Sequence, residues 1–533
     1  MRSAHVDTFT RDNLPPQAEW PDLIFPLPEL QYPERVNCAT ELLDRAVERG
    51  WGGNTAFMGS TVSWTYAELL AEANRLANVL VDELGVVPGN RVLIRSANTP
   101  WMVACWFAIQ KAGAVAVATM PLLRAGELKK VIDKAEIELA LCDAQMTDEV
   151  HKVGANRLEI VAWGGETADD LLALARRKPS SFDNVDTHAE DVALLAFTSG
   201  TTGVPKGTMH FHRDVLAIAD CFPPYVLGAT SRDVFTGSPP LAFTFGLGGL
   251  AIFPMRVGAT TVLVDRPGPE PLLRAIQDQK ATVCFTAPVA WRLMANMKDD
   301  FDLSSLGKGI SAGETLPAST WHAFHDATGV KLIDGIGSTE MLHIFISASG
   351  EEIRPGATGR EVPGYEARVV DEDGKEVEDG NVGRLAVRGP TGCRYLADPR
   401  QREYVQHGWN LTGDAYIRDQ DGYFWYQART DDMIITSGYN VAAPEVEGAL
   451  LSHPAVMEAG VVGVPNEERG TIIKAYVVLR EGRRPSDALT RELQDHVKAE
   501  IAPYKYPRRI EFTESLPRTE TGKVQRFKLR ELG

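Results

Sequence analysis

A chain of 533 residues is too long for a single hydrophobic core, so two or more domains are expected. With 44% hydrophobic and 24% charged residues it has the balance of a soluble globular protein. A formal net charge of −17 leaves no electrostatic footprint for nucleic acid or an anionic membrane, so any phosphate must be gripped locally.

The first twenty residues, MRSAHVDTFTRDNLPPQAEW, lack the apolar run of a signal peptide. In SWTYAELLAEANRLANVLVDEL (63–84) Leu69, Ala73, Leu76 and Leu80 share one helical face, with Ser63 or Thr65 as N-cap. The longest apolar region, 101–123, is broken by Gln110-Lys111 and reads as a helix, a turn and a buried strand. No segment reaches the roughly 18 uninterrupted apolar residues of a membrane span, and the expected location is the cytoplasm. RVLIRS (91–96), AVAVATM (114–120), LALCDA (139–144) and KATVCFTAP (280–288) read as strands alternating with helices, which predicts a mostly parallel sheet covered by helices. Between 350 and 430 short strands and Gly-rich turns predict a β-rich subdomain. From about 431 the pattern is α+β: PEVEGALLSHP is a short helix, AGVVGVP and KAYVVL are strands, and 486–503 is an amphipathic helix with Leu489, Leu493, Val497 and Ile501 in line. The expectation is therefore an α/β protein with a large domain over 1–430 and a small α+β one over 431–533. Six scattered cysteines with no CxxC pair read as buried thiols in a reducing compartment rather than zinc ligands.

One stretch carries chemistry. TSGTTGVPKG (198–207) follows the apolar run VALLAF. It is not a Walker loop, because Pro205 stands where the second glycine belongs and Gly207, not Ser or Thr, follows Lys206. Its small residues still allow close approach of backbone to an anion, and its hydroxyls and Lys206 supply donors and charge. A flexible linker is the bland alternative. The strand leading in and the stiff Pro205 favour a phosphate loop.

The stretch resembles the phosphate loop of the adenylate-forming enzymes: acyl-CoA synthetases, luciferases and peptide-synthetase adenylation domains. GIGSTE (335–340), GWNLTGD (408–414), ARTDDMIITSGYN (428–440) and LPRTETGKVQR (516–526) match that family's further motifs in order. The resemblance implies two steps. A carboxylate attacks the α-phosphate of ATP to give an acyl adenylate and pyrophosphate, and a thiol, usually coenzyme A, then displaces AMP.

Carried over residue by residue, Thr198, Ser199, Gly200, Thr201, Thr202 and Lys206 cradle the phosphates. Glu340 is the magnesium ligand, and Thr339 donates to phosphate. Asp414 holds the ribose hydroxyls with Arg429 as companion, although Ala428 replaces a frequent glycine. Gly313, Glu314, Asp334 and Gly335 are adenine-side positions, and Ile336 replaces a frequent aromatic. Lys523 bridges the carboxylate and the α-phosphate, a task suited to a compact cation on a long arm. Asp431 resembles the pivot on which the small domain swings, and Gly438 the turn past which pantetheine threads.

The segment 239–263 together with 336–347 resembles the benzoate-CoA ligase group. By that likeness Thr244, Phe245, Gly246, Gly337, His343 and Ile344 surround a flat ring, with Phe243 beside them. Phe245 lacks a hydroxyl expected for plain benzoate and Thr244 supplies one next door, which keeps 2-aminobenzoate open. His210, His212 and the cysteines receive no role. The leading expectation is an ATP-dependent aryl-CoA ligase using magnesium and coenzyme A, as monomer or homodimer. The alternatives are an enzyme loading a carrier-protein thiol, a ligase for a non-aromatic acid, a luciferase-like oxidase and an inactive binding protein.

Overall fold

The computed structural model describes residues 3–532 apart from 156, 166, 199–204, 430–432, 437–438, 467–469, 502 and 519–523. Strand–helix alternation in the first 340 residues builds two sheets. One has six strands in the order Glu159–Trp163, Leu139–Asp143, Arg91–Arg95, Val115–Ala118, Val192–Thr198, Lys206–Phe211. It is parallel except at the last pair, where Lys206–Phe211 returns antiparallel beside Val192–Thr198. The phosphate-loop motif thus spans the tip of a hairpin, and its two described ends, Thr198 and Lys206, face each other in register.

The second sheet has nine strands. Its parallel interior runs Leu332–Gly337, Lys308–Ala312, Val283–Thr286, Val234–Gly237, Thr260–Leu263 and Thr55–Met58, with antiparallel strands at both edges. A core common to both sheets joins Leu76 and Phe107 to Phe285 and Ile310. The β-rich region forms a five-stranded antiparallel sheet from Glu366–Val370, Val382–Arg388, Trp409–Arg418, Val405–Gln406 and Phe424–Arg429. Beyond it, Val456–Asn466, Gly470–Leu479 and Arg509–Phe512 make a three-stranded sheet packed by Ala443–Leu451 and Asp487–Glu500 around a separate apolar cluster.

The helix expected over 63–84 runs Tyr66–Asp82, with Leu69, Ala73, Leu76 and Leu80 buried. Thr65, not Ser63, caps it: its hydroxyl accepts from the Glu68 N–H and Glu68 reaches back to the Thr65 N–H. As expected for 101–123, the helix Pro100–Lys111 ends at Gln110-Lys111, and a turn and the strand Val115–Ala118 follow; both polar residues are wholly buried. The Lys111 ammonium pairs with Asp44 at 2.6 Å, and the Gln110 amide donates to the Ala193 carbonyl at 2.9 Å. Paired burial is what lets polar residues occupy an apolar run. All six cysteines are buried and unbridged. Among the described residues no helix is long and apolar enough to cross a membrane.

The hairpin that bears Lys206 is fixed by a wholly buried ion pair. Asp214 Oδ2 accepts from Arg394 Nη1 at 3.1 Å and Nη2 at 3.0 Å, and also from the Phe211 N–H at 3.0 Å. The guanidinium lies 4.0 Å from the Phe211 ring centroid and 5.4 Å from that of Trp20. Burial works to raise the Asp214 carboxyl, but Arg394 overrides it and the net direction is down. Burial lowers Arg394 in turn, yet a guanidinium starts so high that it stays charged.

Removing one partner of such a pair leaves an uncompensated buried charge. Arg394→Met is therefore expected to cost ~3–5 kcal/mol near pH 7, read from the denaturant midpoint. A carboxylate whose folded pKa is depressed stabilises above its unfolded pKa, about 3.9, and loses that contribution as pH falls. The difference between the two proteins should accordingly shrink below about pH 4. Equal midpoints at pH 7 would show that the pair does not hold the hairpin.

Candidate active site

Three segments meet beside the phosphate-loop hairpin. The first is the strand Lys206–Phe211 itself. The second, residues 393–396, runs against it: the Met209 N–H donates to the Arg394 carbonyl and the Leu396 N–H to the Gly207 carbonyl, each at 2.8 Å. The third is the turn after Leu332–Gly337, which carries Thr339 and Glu340.

Their side chains converge. The Tyr395 hydroxyl donates to Glu340 Oε1 at 2.5 Å, and Lys206 Nζ lies 3.4 Å from the same hydroxyl oxygen. His210 Nε2 sits 2.7 Å from the Thr339 carbonyl oxygen, so that nitrogen carries the proton and donates. Its Nδ1 is 3.7 Å from Asp214. The strand that begins with Lys206 therefore also anchors the backbone beside Glu340. The Tyr404 ring packs edge-on against Tyr395 at 5.8 Å, and its hydroxyl lies 3.3 Å from Ser338 Oγ. Burial first, then the Glu340 charge, drives the Tyr404 phenol well up, with Asp414 adding to it.

Asp414 and Arg429 are cross-strand partners, and Arg429 Nη1 donates to Asp414 Oδ1 at 3.1 Å. Gly413, at φ +76°, is required there: a Cβ would stand 2.9 Å from the Arg429 guanidinium. Asp334 lies in the strand Leu332–Gly337, where burial pushes its carboxyl well above the usual range against the Gly335 N–H. Gly313, at φ +89°, follows the strand Lys308–Ala312, and Glu314 stands 3.9 Å from Arg518 Nη1. A Cβ on Gly335 would meet the Ile344 side chain at 2.8 Å.

On the far side of Glu340 the chain folds into an aromatic box. The His343 ring is packed edge-on by Phe253 at 4.4 Å and flanked by Phe245 and Phe222, each at 5.7 Å, and Phe285 at 6.3 Å. Burial lowers His343 to about 3, so the imidazole is neutral. His343 Nε2 lies 3.4 Å from the Phe245 carbonyl, and its buried Nδ1 has no partner among the described residues. Phe243, Thr244, Phe245 and Gly337 keep open surface, whereas Gly246, His343 and Ile344 are buried behind them. Close approach explains the glycines. A Cβ on Gly246 would meet the Pro240 carbonyl oxygen at 2.1 Å, and one on Gly337 the His343 carbonyl oxygen at 2.5 Å.

Of the residues singled out from sequence, Thr198, Lys206 and Arg429 stand at strand ends, Thr339, Glu340, Gly313 and Glu314 in bends or turns after strands, and Asp334, Gly335 and Asp414 within strands. Ser199, Gly200, Thr201, Thr202, Asp431, Gly438 and Lys523 fall outside the described residues. On either side of the segment 519–523, Arg518 bridges Val524 and the Gln525 N–H donates to the Pro517 carbonyl. Sequence reasoning gave His210 no role and passed over Tyr395, Tyr404 and Arg394. Their functions are contacts between distant segments, and no local motif marks such contacts.

Magnesium typically takes one or two carboxylates plus substrate phosphates rather than a full protein cage. A single Glu340 beside a phosphate loop fits that requirement, and no other hydrogen-bond partner of its carboxylate falls among the described residues.

Comparison with known proteins agrees with this geometry. Residues 43–395 match the AMP-binding enzyme family, and residues 445–523 its C-terminal domain. The benzoate–CoA ligase of Thauera aromatica is 36% identical over 516 residues, covering 94% of this chain and 97% of that protein. The crystal structure of an anthranilate CoA ligase in complex with anthranoyl-AMP superposes with a TM-score of 0.91 at 36% identity, covering 95% of this chain and 99% of the other. A benzoate CoA ligase from Burkholderia xenovorans LB400 gives 0.85 at 33% identity over 93% and 100% of the two chains. Matched by the family model over residues 43–395 and by relatives at 36% identity over nearly its full length, the chain belongs to the AMP-binding, adenylate-forming enzyme family.

Proposed function

We propose that the chain is an ATP-dependent aryl-CoA ligase that activates a small aromatic carboxylate, of the benzoate or 2-aminobenzoate kind, as its adenylate and passes the acyl group to coenzyme A. Acid–thiol ligation that forms AMP is the reaction class of the family's CoA ligases. The observation that carries the choice of acid is the aromatic box around the neutral His343, three residues from Glu340 in the chain. Aromatic walls with glycines between them suit a flat ring whose carboxylate points toward the phosphates. An uncharged imidazole at the back avoids pairing with the acid and leaves the carboxylate free to react.

In this reading the Thr198–Gly207 loop and Lys206 stabilise charge developing on pyrophosphate. Glu340 would hold magnesium, which spreads the phosphate charge, and Thr339 donates to phosphate. Asp414, ionised and fixed by Arg429, accepts from the two ribose hydroxyls. Gly313, Glu314, Asp334 and Gly335 border the adenine. Lys523 bridges the attacking carboxylate and the α-phosphate. The domain after Asp431 then swings, and the turn at Gly438 faces the entering thiol.

The direct test measures pyrophosphate and AMP release with benzoate, 2-aminobenzoate, 2- and 4-hydroxybenzoate, phenylacetate, acetate and octanoate, each with and without CoA. Turnover confined to small benzoates plus CoA is expected. Pyrophosphate exchange that CoA never draws on to thioester would indicate a carrier-protein thiol instead, and preference for octanoate would discard the aryl pocket.

Lys523→Ala should slow adenylation by about 100-fold or more while CoA still attacks supplied aroyl-AMP. Equal loss in both half-reactions would remove the bridging role. Asp431→Pro, which restricts φ at the pivot, should impair the overall reaction more than adenylation alone. Unchanged rates in both half-reactions would place the hinge elsewhere.

A further inference from the structure

We propose that Tyr395 is a positioning residue that keeps Lys206 and Glu340 apart and aims each of them, so that the response to magnesium depends on its hydroxyl. This rests on the reading of Glu340 as the metal-binding carboxylate.

An ammonium and a carboxylate in one half-buried cleft attract each other strongly, and direct pairing would occupy both. Phosphate would then lose its counter-charge and the metal its ligand. Tyr395 resolves this with one group. A phenol offers one donor and two acceptor lone pairs. Here the donor goes to Glu340 Oε1 at 2.5 Å, and Lys206 Nζ approaches the oxygen at 3.4 Å while lying 5.1 Å from the ring centroid. Among the described residues neither Lys206 nor Glu340 has an ion-pair partner.

The hydroxyl is itself held in place. Tyr395 is 1% exposed, its N–H donates to Gln401 Oε1 at 2.9 Å, and its backbone bridges Thr208, two residues from Lys206. The Gln401 amide in turn donates to the Cys393 and Glu19 carbonyls. The ring touches Tyr404, and none of these contacts is to a reacting atom, which makes the residue a support for the site.

The test uses the full-length Tyr395→Phe, Glu340→Gln and double variants. Two quantities are read: pyrophosphate exchange against magnesium concentration, and the calorimetric Kd for magnesium-ATP. Loss of one hydrogen bond to a charged acceptor corresponds to about 10- to 100-fold. Tyr395→Phe is therefore expected to raise both the half-saturating magnesium concentration and the Kd by about tenfold or more. The KM for the carboxylic acid should stay where it was. In the Glu340→Gln background the same substitution should add nothing further.

A lower exchange rate with an unshifted magnesium curve, or losses that simply add in the double variant, would overturn the proposal. So would a fall in melting temperature large enough to explain the lost exchange, since the hydroxyl would then be a structural prop. Glu340→Gln with ordinary magnesium dependence would bring down the metal assignment and this inference together. An impaired Glu340→Gln beside an unshifted Tyr395→Phe would bring down the inference alone.

Discussion

The buried Asp214–Arg394 pair is the constraint on which the rest of the site depends. Two charges are taken out of water there, and the cost is offset by their mutual attraction and by the further contacts around them, although Asp214 Oδ1 and Arg394 Nε have no hydrogen-bond partner among the described residues. The carboxylate accepts from both guanidinium nitrogens and the Phe211 N–H, and the guanidinium is stacked by Phe211 and Trp20. These contacts tie together segments that lie far apart in the chain, around residues 20, 211–214 and 394. Because Tyr395 follows Arg394 and His210 precedes Phe211, the pair also sets both braces on the Thr339–Glu340 turn. The phosphate-side lysine and the metal-side carboxylate are placed by one piece of backbone pairing rather than by two independent loops.

The acid-binding side follows a different physical rule. Polar contacts are few, and shape is set by backbone and rings in close approach. A Cβ on Gly248 would stand 2.3 Å from the His343 ring, and one on Gly249 2.7 Å from the Phe285 ring. These glycines admit the aromatic side chains that make the box, so the helical segments from Thr244 to Val257 pack closer to His343 and to the Val283–Thr286 strand than side chains would allow. His343 contributes as a neutral ring with pKa near 3, and its value is packing rather than charge. If this box holds the acid, as proposed, it selects by thickness and outline, properties that do not change on adenylation.

How much of this was legible in the sequence divides along the same line. Periodicity revealed the helix Tyr66–Asp82 and the parallel strands, because burial on one face leaves a local imprint. The family was legible because the TSGTTGVPKG, GIGSTE and TGD motifs are each compressed into a few adjacent residues. Lys111 marked the helix end correctly, but its burial was not legible, because the partner Asp44 lies far away in the chain. Tyr395 and His210 carried no signal at all. Each acts on a residue more than 50 positions away, and an isolated Tyr or His in a strand has the ordinary appearance of core.

The small C-terminal region completes the argument by contrast. It has its own apolar cluster, and Arg518, five residues before Lys523 in the chain, reaches both Glu458 at 2.6 Å and Glu314 at 3.9 Å. Glu458 belongs to the same region as Arg518, whereas Glu314 belongs to the large one. The internal contact is short, and the crossing contact is long and partly exposed, of a kind worth ~1 kcal/mol or less. Where the phosphate machinery is locked by wholly buried ions, this crossing contact is cheap to break. That asymmetry is what the proposed swing requires: a rigid cleft that keeps the adenylate in register, and a lysine-bearing arm that leaves it without unfolding anything.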